Sequence, residues 1–382
     1  MLPLLRLAQT LEVADIRRPM ARVLAAMSGG VDSSVAAALL LEQGHEVVGA
    51  YMKNFTNEEQ LPGDCPWEED IRDARAVCDY LGIEFRILSL MDEYRDRVVE
   101  YLLAGYRGGV TPNPDVMCNR EMKFGIFREF AKSQDFEYLA TGHYAQIERH
   151  DDGLADIVRG ADGKDQTYFL ALLEQDQIQP AMFPIGHLPK PDVRKEAERC
   201  GIPVAQKKDS QGICFIGDIK MSDFLGHYIK DNPGPIVTLD GCEVGCHRGL
   251  HLHTLGQRKG LGVPSNTYGK AYVVVEKRSE SNELVVAFDD PKTPKLYATK
   301  CRVGSISVTN KPLTSAAGLA AQPRYRSAAV GVSPEFLDDT TAILEFETPQ
   351  RALTPGQVCA FYDGRRLLGG GVFQEILHET DC

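Results

Sequence analysis

The chain has 382 residues, 43% hydrophobic and 25% charged, with a formal net charge of −12. That length exceeds one ordinary domain of ~150 residues, and the composition excludes a disordered or fibrous chain. The acidic balance excludes a general basic footprint for nucleic acid, so any RNA contact must come from local patches.

Residues 1–19 carry Arg6, Arg17 and Arg18 but no apolar stretch with a small-residue cleavage site. Glu12 and Asp15 speak against organelle targeting, and the segment reads as an extension ahead of Met20. Arg22–Met27 is a short apolar run ending in glycines and predicts a buried strand. Ser33–Gln43, rich in Ala and Leu and stopped by Gly44, predicts a helix. Glu46–Met52, Glu84–Leu88 and Tyr138–Thr141 read as strands, and Glu68–Leu81, Met91–Tyr106 and Asn119–Lys132 as helices. Repeated strand–helix units imply a parallel sheet with helices on both faces, with ligands beyond the carboxyl ends of its strands. After about Cys214 the texture changes to short β-prone runs between Gly, Pro and Asn turns. These include Ala271–Val275, Leu284–Phe288, Thr341–Phe346 and Val358–Phe361, and they imply small β domains, the last barrel-like. No apolar run reaches the ~18 residues of a membrane helix. The ten cysteines are scattered, unlike a secreted disulfide framework. The expectation is a reduced, cytoplasmic setting without a membrane partner.

The segment Ser28-Gly29-Gly30-Val31-Asp32-Ser33-Ser34 stands between the first strand and the first helix. Two glycines let the backbone approach a ligand closely. A helix start offers unpaired N–H groups and a positive dipole end to an anion. Ser28, Ser33 and Ser34 add hydroxyls, and Asp32 suits a magnesium ion held with phosphates. The chain has no GxxxxGK[ST] sequence. The loop resembles the signature of the ATP pyrophosphatase superfamily, whose members adenylate an oxygen with loss of pyrophosphate. By itself it does not choose among them.

Two cysteine-bearing segments make the choice. Thr111–Arg120 contains NPDVMCN, and Ser210–Gly217 contains GICFIG. Cys118 follows a proline-rich turn at a helix entry, where a thiolate is favoured. Asp115 could cap that helix or move a proton. The other cysteines, Cys65, Cys78, Cys200, Cys242, Cys246, Cys301, Cys359 and Cys382, read as small hydrophobes. Cys242 and Cys246, near His247, His251 and His253, have a loose spacing open to a zinc site. SGGVDSS, NPDVMCN and GICFIG in that order resemble the tRNA-specific 2-thiouridylase family. Agreement extends over Thr141–Tyr144, Lys164–Leu170, His253–Gly260 and Arg324–Arg326.

The resemblance implies an α/β doubly wound parallel-sheet ATP pyrophosphatase domain over residues 20–218. A small central β-rich domain over 219–290 and a C-terminal β-barrel over 291–382 complete it. It implies ATP with Mg2+ on Ala26, Met27, Ser28, Gly29, Gly30, Val31, Asp32 and Ser33, with Met52 near adenine and Gly142 closing the site. It implies adenylation of the wobble uridine and sulfur delivered as a persulfide on Cys214. Cys118 acts as partner nucleophile, a Cys118–Cys214 disulfide forms by one route, and Asp115 serves as acid/base. The target base faces Asn113, Pro114 and Asp115, and the tRNA touches His143, Lys164, Asp165, Gln166, Arg324, Tyr325 and Gln357. A flipped base is expected. The basic pairs Lys207-Lys208, Arg258-Lys259 and Arg365-Arg366 are further candidates for RNA or for a solvated surface. Implied partners are tRNA for Lys, Glu and Gln, and a sulfur-relay carrier or cysteine desulfurase. Alternatives are an iron–sulfur cluster on Asp115, Cys118 and Cys214, a superfamily enzyme with a small-molecule acceptor, and a catalytically silent tRNA-binding module.

Overall fold

The computed structural model describes residues 20–57, 67–161, 163–208, 217, 219–263, 269–310, 312–316 and 318–378. The expectations for residues 1–19, for Cys65 and Cys382, and for the Cys214 motif fall outside these residues.

A five-stranded parallel sheet forms the N-terminal part. Its strands are β1 (Arg22–Ala26), β2 (Glu46–Lys53), β3 (Phe85–Ser89), β4 (Tyr138–Ala140) and β7 (Ala181–Met182), in the order β3-β2-β1-β4-β7. Burial on both faces of β1 follows from its alternation. Val23 and Ala25 enter one core with Val35, Ala37 and Val77, whereas Leu24 enters another with Leu102, Val116 and Phe127. Helices Val31–Glu42, Trp67–Leu81 and Lys190–Arg199 cover the first face. Helical segments Met91–Tyr94 through Glu100–Arg107, and Cys118–Ile126, cover the second. The sheet is therefore doubly wound, as expected. The first helix has Ala and Leu on nearly every side because it is sandwiched between the sheet and two other helices.

Between β4 and β7, the hairpin β5 (Ala145–Arg149) and β6 (Ala155–Arg159) leaves this sheet and pairs through β6 with the last strand of the chain. The central part has β8 (Gly234–Thr238), β9 (Glu243–His247), β10 (Tyr272–Arg278) and β11 (Glu283–Phe288), ordered β10-β11-β8-β9. The C-terminal strands are β12 (Tyr297–Val308), β13 (Leu319–Gln322), β14 (Val330–Asp338), β15 (Thr341–Arg351), β16 (Val358–Asp363) and β17 (Arg366–Leu377). They run β12-β15-β14-β13-β16-β17, and β17 pairs back onto β12 to close a six-stranded barrel. Closure removes the edges that an open sheet would expose.

The barrel is fastened to the N-terminal part by polar contacts, two of them fully buried. Tyr168 donates from its hydroxyl to the Val358 carbonyl at 2.8 Å, and the Thr167 and Tyr362 hydroxyls lie 3.1 Å apart. Gln175 donates to the Thr309 carbonyl at 2.7 Å. Asp156, 1% exposed, takes Arg366 at 2.9 Å. Arg365 donates to the Arg159 carbonyl. Arg365 and Arg366 thus help to hold β17 to the β6 region. Lys207 likewise bridges Asp70 and Asp73, and Arg258 pairs with Asp289.

Candidate active site

The sheet order reverses around β1, with β2 on one side and β4 on the other, which is where open α/β sheets bind ligands. Ser28–Ser34 occupies that point. Gly29 adopts φ +73°, and a Cβ there would meet the Asp70 carbonyl at 2.5 Å, so only glycine fits. The hydroxyls of Ser28 and Ser33 lie 3.1 Å apart, and the Ser28 N–H donates to Ser33 Oγ. Ser33 and Ser34 both donate to the Gly30 carbonyl, at 3.2 and 2.7 Å, which fixes the turn into the helix. No side chain caps this helix. Met27 donates to the Ala50 carbonyl, and Met52 is buried near the carboxyl end of the adjoining β2.

Asp32, in the helix's first turn, receives two donors on Oδ1: the Tyr144 hydroxyl at 2.9 Å and Lys190 Nζ at 2.7 Å. Its carboxylate is therefore partly engaged, and a magnesium ion would share it with these groups. Gly142, following β4, comes so close to the loop that a Cβ would lie 2.8 Å from the Ser33 nitrogen. His143 is buried between Phe124 and Phe183, with Nδ1 2.6 Å from the Thr141 hydroxyl. Burial, aided by the charge of Lys123, holds its pKa well below 6.5, so the ring is neutral. A neutral ring suits a base contact better than a phosphate contact.

Cys118 departs from the expected position in its helix. Asn113, not Asp115, is the N-cap: its Oδ1 accepts from the Val116 N–H at 3.2 Å, and Pro114 takes the first turn. Cys118 lies a turn further on, its own N–H bonded back to the carbonyls of Pro114 and Asp115. It therefore lacks an unpaired helix-start N–H, and the dipole falls off beyond the first turn. The side chain is wholly buried in the core face shared with Leu24 and Val116. From Cys118 to Ile126 the helix is wound in π fashion and breaks at Gly125 (φ −93°, ψ −106°). Gln177 repairs the break by donating to the carbonyls of Arg120 and Phe124. Single-residue periodicity carries no sign of this.

The segment before Cys118 is held by all three parts of the chain. Gln357 donates to the carbonyls of Thr111 and Pro112 at 2.8 and 3.2 Å, and Asn113 Nδ2 reaches Gln357 Oε1 at 3.5 Å. Thr111 donates its N–H to Pro355, and its hydroxyl lies 3.3 Å from that of Thr254. The expected tRNA residues Lys164, Asp165 and Gln166 border Arg324 and Tyr325 through a chain of contacts. Asp165 accepts from Arg159 at 2.5 Å, Arg159 donates to Gln322 at 3.0 Å, and Gln322 donates to the Arg324 carbonyl. Phe169 packs against Tyr325 with ring centroids 4.4 Å apart and the rings tilted by 47°. Arg324 donates to the carbonyls of Arg351 and Ala352. Gln166 and Tyr144 are joined by a pair of hydrogen bonds.

The cysteine readings need one correction: Cys242 and Cys246 are exposed, not core residues. Near them, His247 directs Nε2 to the Asn282 carbonyl at 3.0 Å. Among the described residues, no group of three or more His, Cys, Asp and Glu side chains is placed to hold a metal ion. No helix among them is long and apolar enough to cross a membrane.

Three family models cover almost the whole described chain. They are described as a tRNA methyl transferase HUP domain over residues 21–218, a tRNA methyl transferase PRC-barrel domain over 222–288, and an aminomethyltransferase beta-barrel domain over 298–373. A tRNA-specific 2-thiouridylase MnmA of Akkermansia muciniphila is 59% identical over 358 residues, covering 94% of this chain and 99% of the relative. The chain belongs to the tRNA-specific 2-thiouridylase family. Another 2-thiouridylase, from Lacticaseibacillus paracasei, is 44% identical, with 94% of this chain and 96% of that one covered. Among solved structures, a 4-thiouridine synthetase–RNA complex with bound ATP aligns at 18% identity and a TM-score of 0.36, over 52% of this chain and 46% of its own.

Lys190 and Tyr144, which meet on Asp32, had no role assigned from sequence. A faint signal exists in Pro189-Lys190-Pro191, a cation at a helix start where an acid is the usual choice. The Pro355-Gly356 dipeptide signals a turn, but nothing local shows that Gln357 beyond it reaches Thr111.

Proposed function

We propose that this chain transfers sulfur to C2 of the wobble uridine of tRNA at the expense of ATP. Membership of the 2-thiouridylase family makes it a tRNA-uridine 2-sulfurtransferase. The observation that carries the reading is the joint placement of two devices: a glycine–serine anion loop at the switch point of the sheet, and a Cys118-bearing helix whose approach is held by the barrel. ATP, with Mg2+ as its counter-ion, sits on Ala26–Ser33, between Met52 and Gly142. The uridine O2 attacks the α-phosphorus and pyrophosphate leaves, so that C2 carries AMP as a leaving group.

Sulfur arrives as a persulfide on Cys214. In one route its terminal sulfur attacks C2 and AMP departs, and an external dithiol then cleaves the S–S bond that joins the base to Cys214, freeing 2-thiouridine and the Cys214 thiol. In the other, Cys118 thiolate attacks Cys214 Sγ itself, so that the persulfide S–S bond breaks, hydrosulfide leaves and a Cys118–Cys214 disulfide forms. Hydrosulfide then displaces AMP, and an external dithiol reduces the disulfide. Asp115 moves the protons. Asn113 to Asp115, His143, Lys164 to Gln166, Arg324, Tyr325 and Gln357 contact tRNA for Lys, Glu and Gln in the cytoplasm, with a sulfur-relay carrier as donor. The deciding experiment is ATP turnover with and without unmodified glutamate tRNA: release of AMP and pyrophosphate only with tRNA supports adenylation of the base, whereas ADP release rejects it. An iron–sulfur route on Asp115, Cys118 and Cys214 makes the same product; colourless, active protein from anaerobic purification excludes it.

A further inference from the structure

We propose that Arg159 is a positioning residue for tRNA: it ties the Lys164–Gln166 segment to the Arg324-Tyr325 segment and makes the two act as one RNA site. The inference rests on the reading of both segments as tRNA contacts and adds the residue that sets their spacing. One segment follows β6 of the N-terminal part, and the other follows β13 of the barrel. They are joined in two ways. The first is the apolar contact of the Phe169 and Tyr325 rings, and burial of apolar surface is non-directional. The second is polar and directional, and Arg159 is its centre.

Arg159 is the last residue of β6, and its backbone is pinned on both sides. Its N–H donates to the Arg365 carbonyl at 2.9 Å, and its own carbonyl accepts from Gln146 and from Arg365. The guanidinium carbon lies 3.7 Å from the centre of the Tyr362 ring, a barrel residue. From there its two arms diverge. Nη1 donates to Asp165 Oδ2 at 2.5 Å, and Nη2 donates to Gln322 Oε1 at 3.0 Å. Gln322, 4% exposed, passes the constraint on, because its Nε2 donates to the Arg324 carbonyl at 3.2 Å. Asp165 in turn accepts from the N–H groups of Gly160 and Thr167 and from the Thr167 hydroxyl, and so shapes the turn that carries Lys164 and Gln166. Three hydrogen-bonded side chains thus connect that turn to Arg324. With the spacing fixed, RNA meets both segments without first having to order them, a gain in affinity by pre-organisation. The planar fork of arginine serves two acceptors in fixed directions while covering a ring, which the point charge of lysine does not.

The test measures binding and turnover of unmodified glutamate tRNA by the full chain. R159M keeps the stem of the side chain and removes both arms. Its Kd and KM for tRNA are expected to rise about tenfold, within the coupling found in one hydrogen-bond network. KM for ATP, and kcat at saturating tRNA, should be unchanged. R159K keeps a charge beside Asp165 but lacks the second arm, so its tRNA affinity is expected to stay low, and recovery in R159K overturns the bridging role. The decisive comparison is a cycle with K164A. Loss of Lys164 is expected to weaken tRNA binding about tenfold in the unaltered protein and less than about threefold in R159M, because a turn no longer held contributes little. Equal losses in both backgrounds, the result of a general loosening of the fold, overturn the inference. Should R159M fail to fold, Q322L cuts only the barrel arm and leaves Arg159 on Asp165 and Tyr362, and the same cycle run in Q322L decides in the same way. Should K164A and Y325A both leave tRNA affinity unchanged in the unaltered protein, the reading of these segments as RNA contacts fails, and the inference with it.

Discussion

Gln357 donates from its side-chain amide to the carbonyl of Thr111 at 2.8 Å, across 246 residues of sequence. The same amide reaches the Pro112 carbonyl, so one barrel residue fixes the approach to the Cys118 helix. In Gln357→Ala two backbone acceptors lose their donor, at a cost of about 1–3 kcal/mol where burial keeps water out. Turnover to 2-thiouridine at saturating tRNA is expected to fall about tenfold, equivalent to ~1.4 kcal/mol. ATP affinity should not change, because no Gln357 contact touches the phosphate loop. Single-turnover kinetics with mass detection of the nucleoside makes the comparison, and full turnover in the variant would remove Gln357 from a positioning role.

Gly29→Ala should act on the other half of the site. Gly29 has a left-handed φ, and an added methyl carbon would stand 2.5 Å from the Asp70 carbonyl oxygen, which leaves it no space. Strain of about 1–3 kcal/mol at the residue should either distort the loop or push away helix Trp67–Leu81. Loss of ATP binding in calorimetry is expected with the barrel intact by circular dichroism. Retained ATP binding would show that the loop tolerates a different path.

Thiol chemistry should follow burial. Cys242 and Cys246 are exposed, and burial pushes the Cys78 and Cys301 thiols up to about 12. Burial pushes Cys359 well above its ordinary value, and Cys118 has no exposed surface. A short iodoacetamide pulse at pH 8, read by peptide mass, should mark Cys242 and Cys246 well before Cys118, Cys78, Cys301 or Cys359. Rapid marking of Cys118 in the free protein would be incompatible with its burial.

The central part should weaken in mild acid. Burial lowers the pKa of His253 to about 4 from an ordinary 6.5, and lowers those of His247 and His251 as well. These imidazoles are neutral when folded, so the unfolded chain binds more protons below about pH 6.5. Their contribution is present above that pH and is lost as pH falls from 6.5 toward 4. Lys277, lowered to about 8 by burial, works with the same sign between its ordinary 10.5 and 8, and is charged in both states below that. Thermal melts from pH 7.5 to 5 should show a falling Tm, less steep in His253→Gln. Equal slopes would place the acid sensitivity elsewhere.

Much of the fold was legible because its signals are local. The Ala- and Leu-rich helix before Gly44 and the apolar runs of β1 and β2 state their own structure, and the observed elements begin and end within a few residues of those expected. The loop Ser28–Ser34 was legible for the same reason. Departures arise where distant segments decide. The π winding after Cys118 depends on Gln177, whereas the capping of that helix by Asn113 is local, since Pro114 at the first helical position marks the residue before it as the cap. The β5–β6 hairpin joins the barrel through pairing with Leu367, far along the chain. Lys190 meets Asp32 only because two helices cover one face of the sheet. None of these relations has a sequence period.

Sulfur transfer to the wobble uridine can be tried in a single tube. Purified protein is incubated with unmodified glutamate tRNA, ATP, magnesium and sulfide, and the RNA is then digested to nucleosides and weighed by mass spectrometry. The expected product is 2-thiouridine that requires ATP, with the supplied sulfide standing in for the hydrosulfide that Cys118 would release. Absence of thiouridine both aerobically and anaerobically, from protein that still binds ATP, would refute the transfer and point to a small-molecule acceptor.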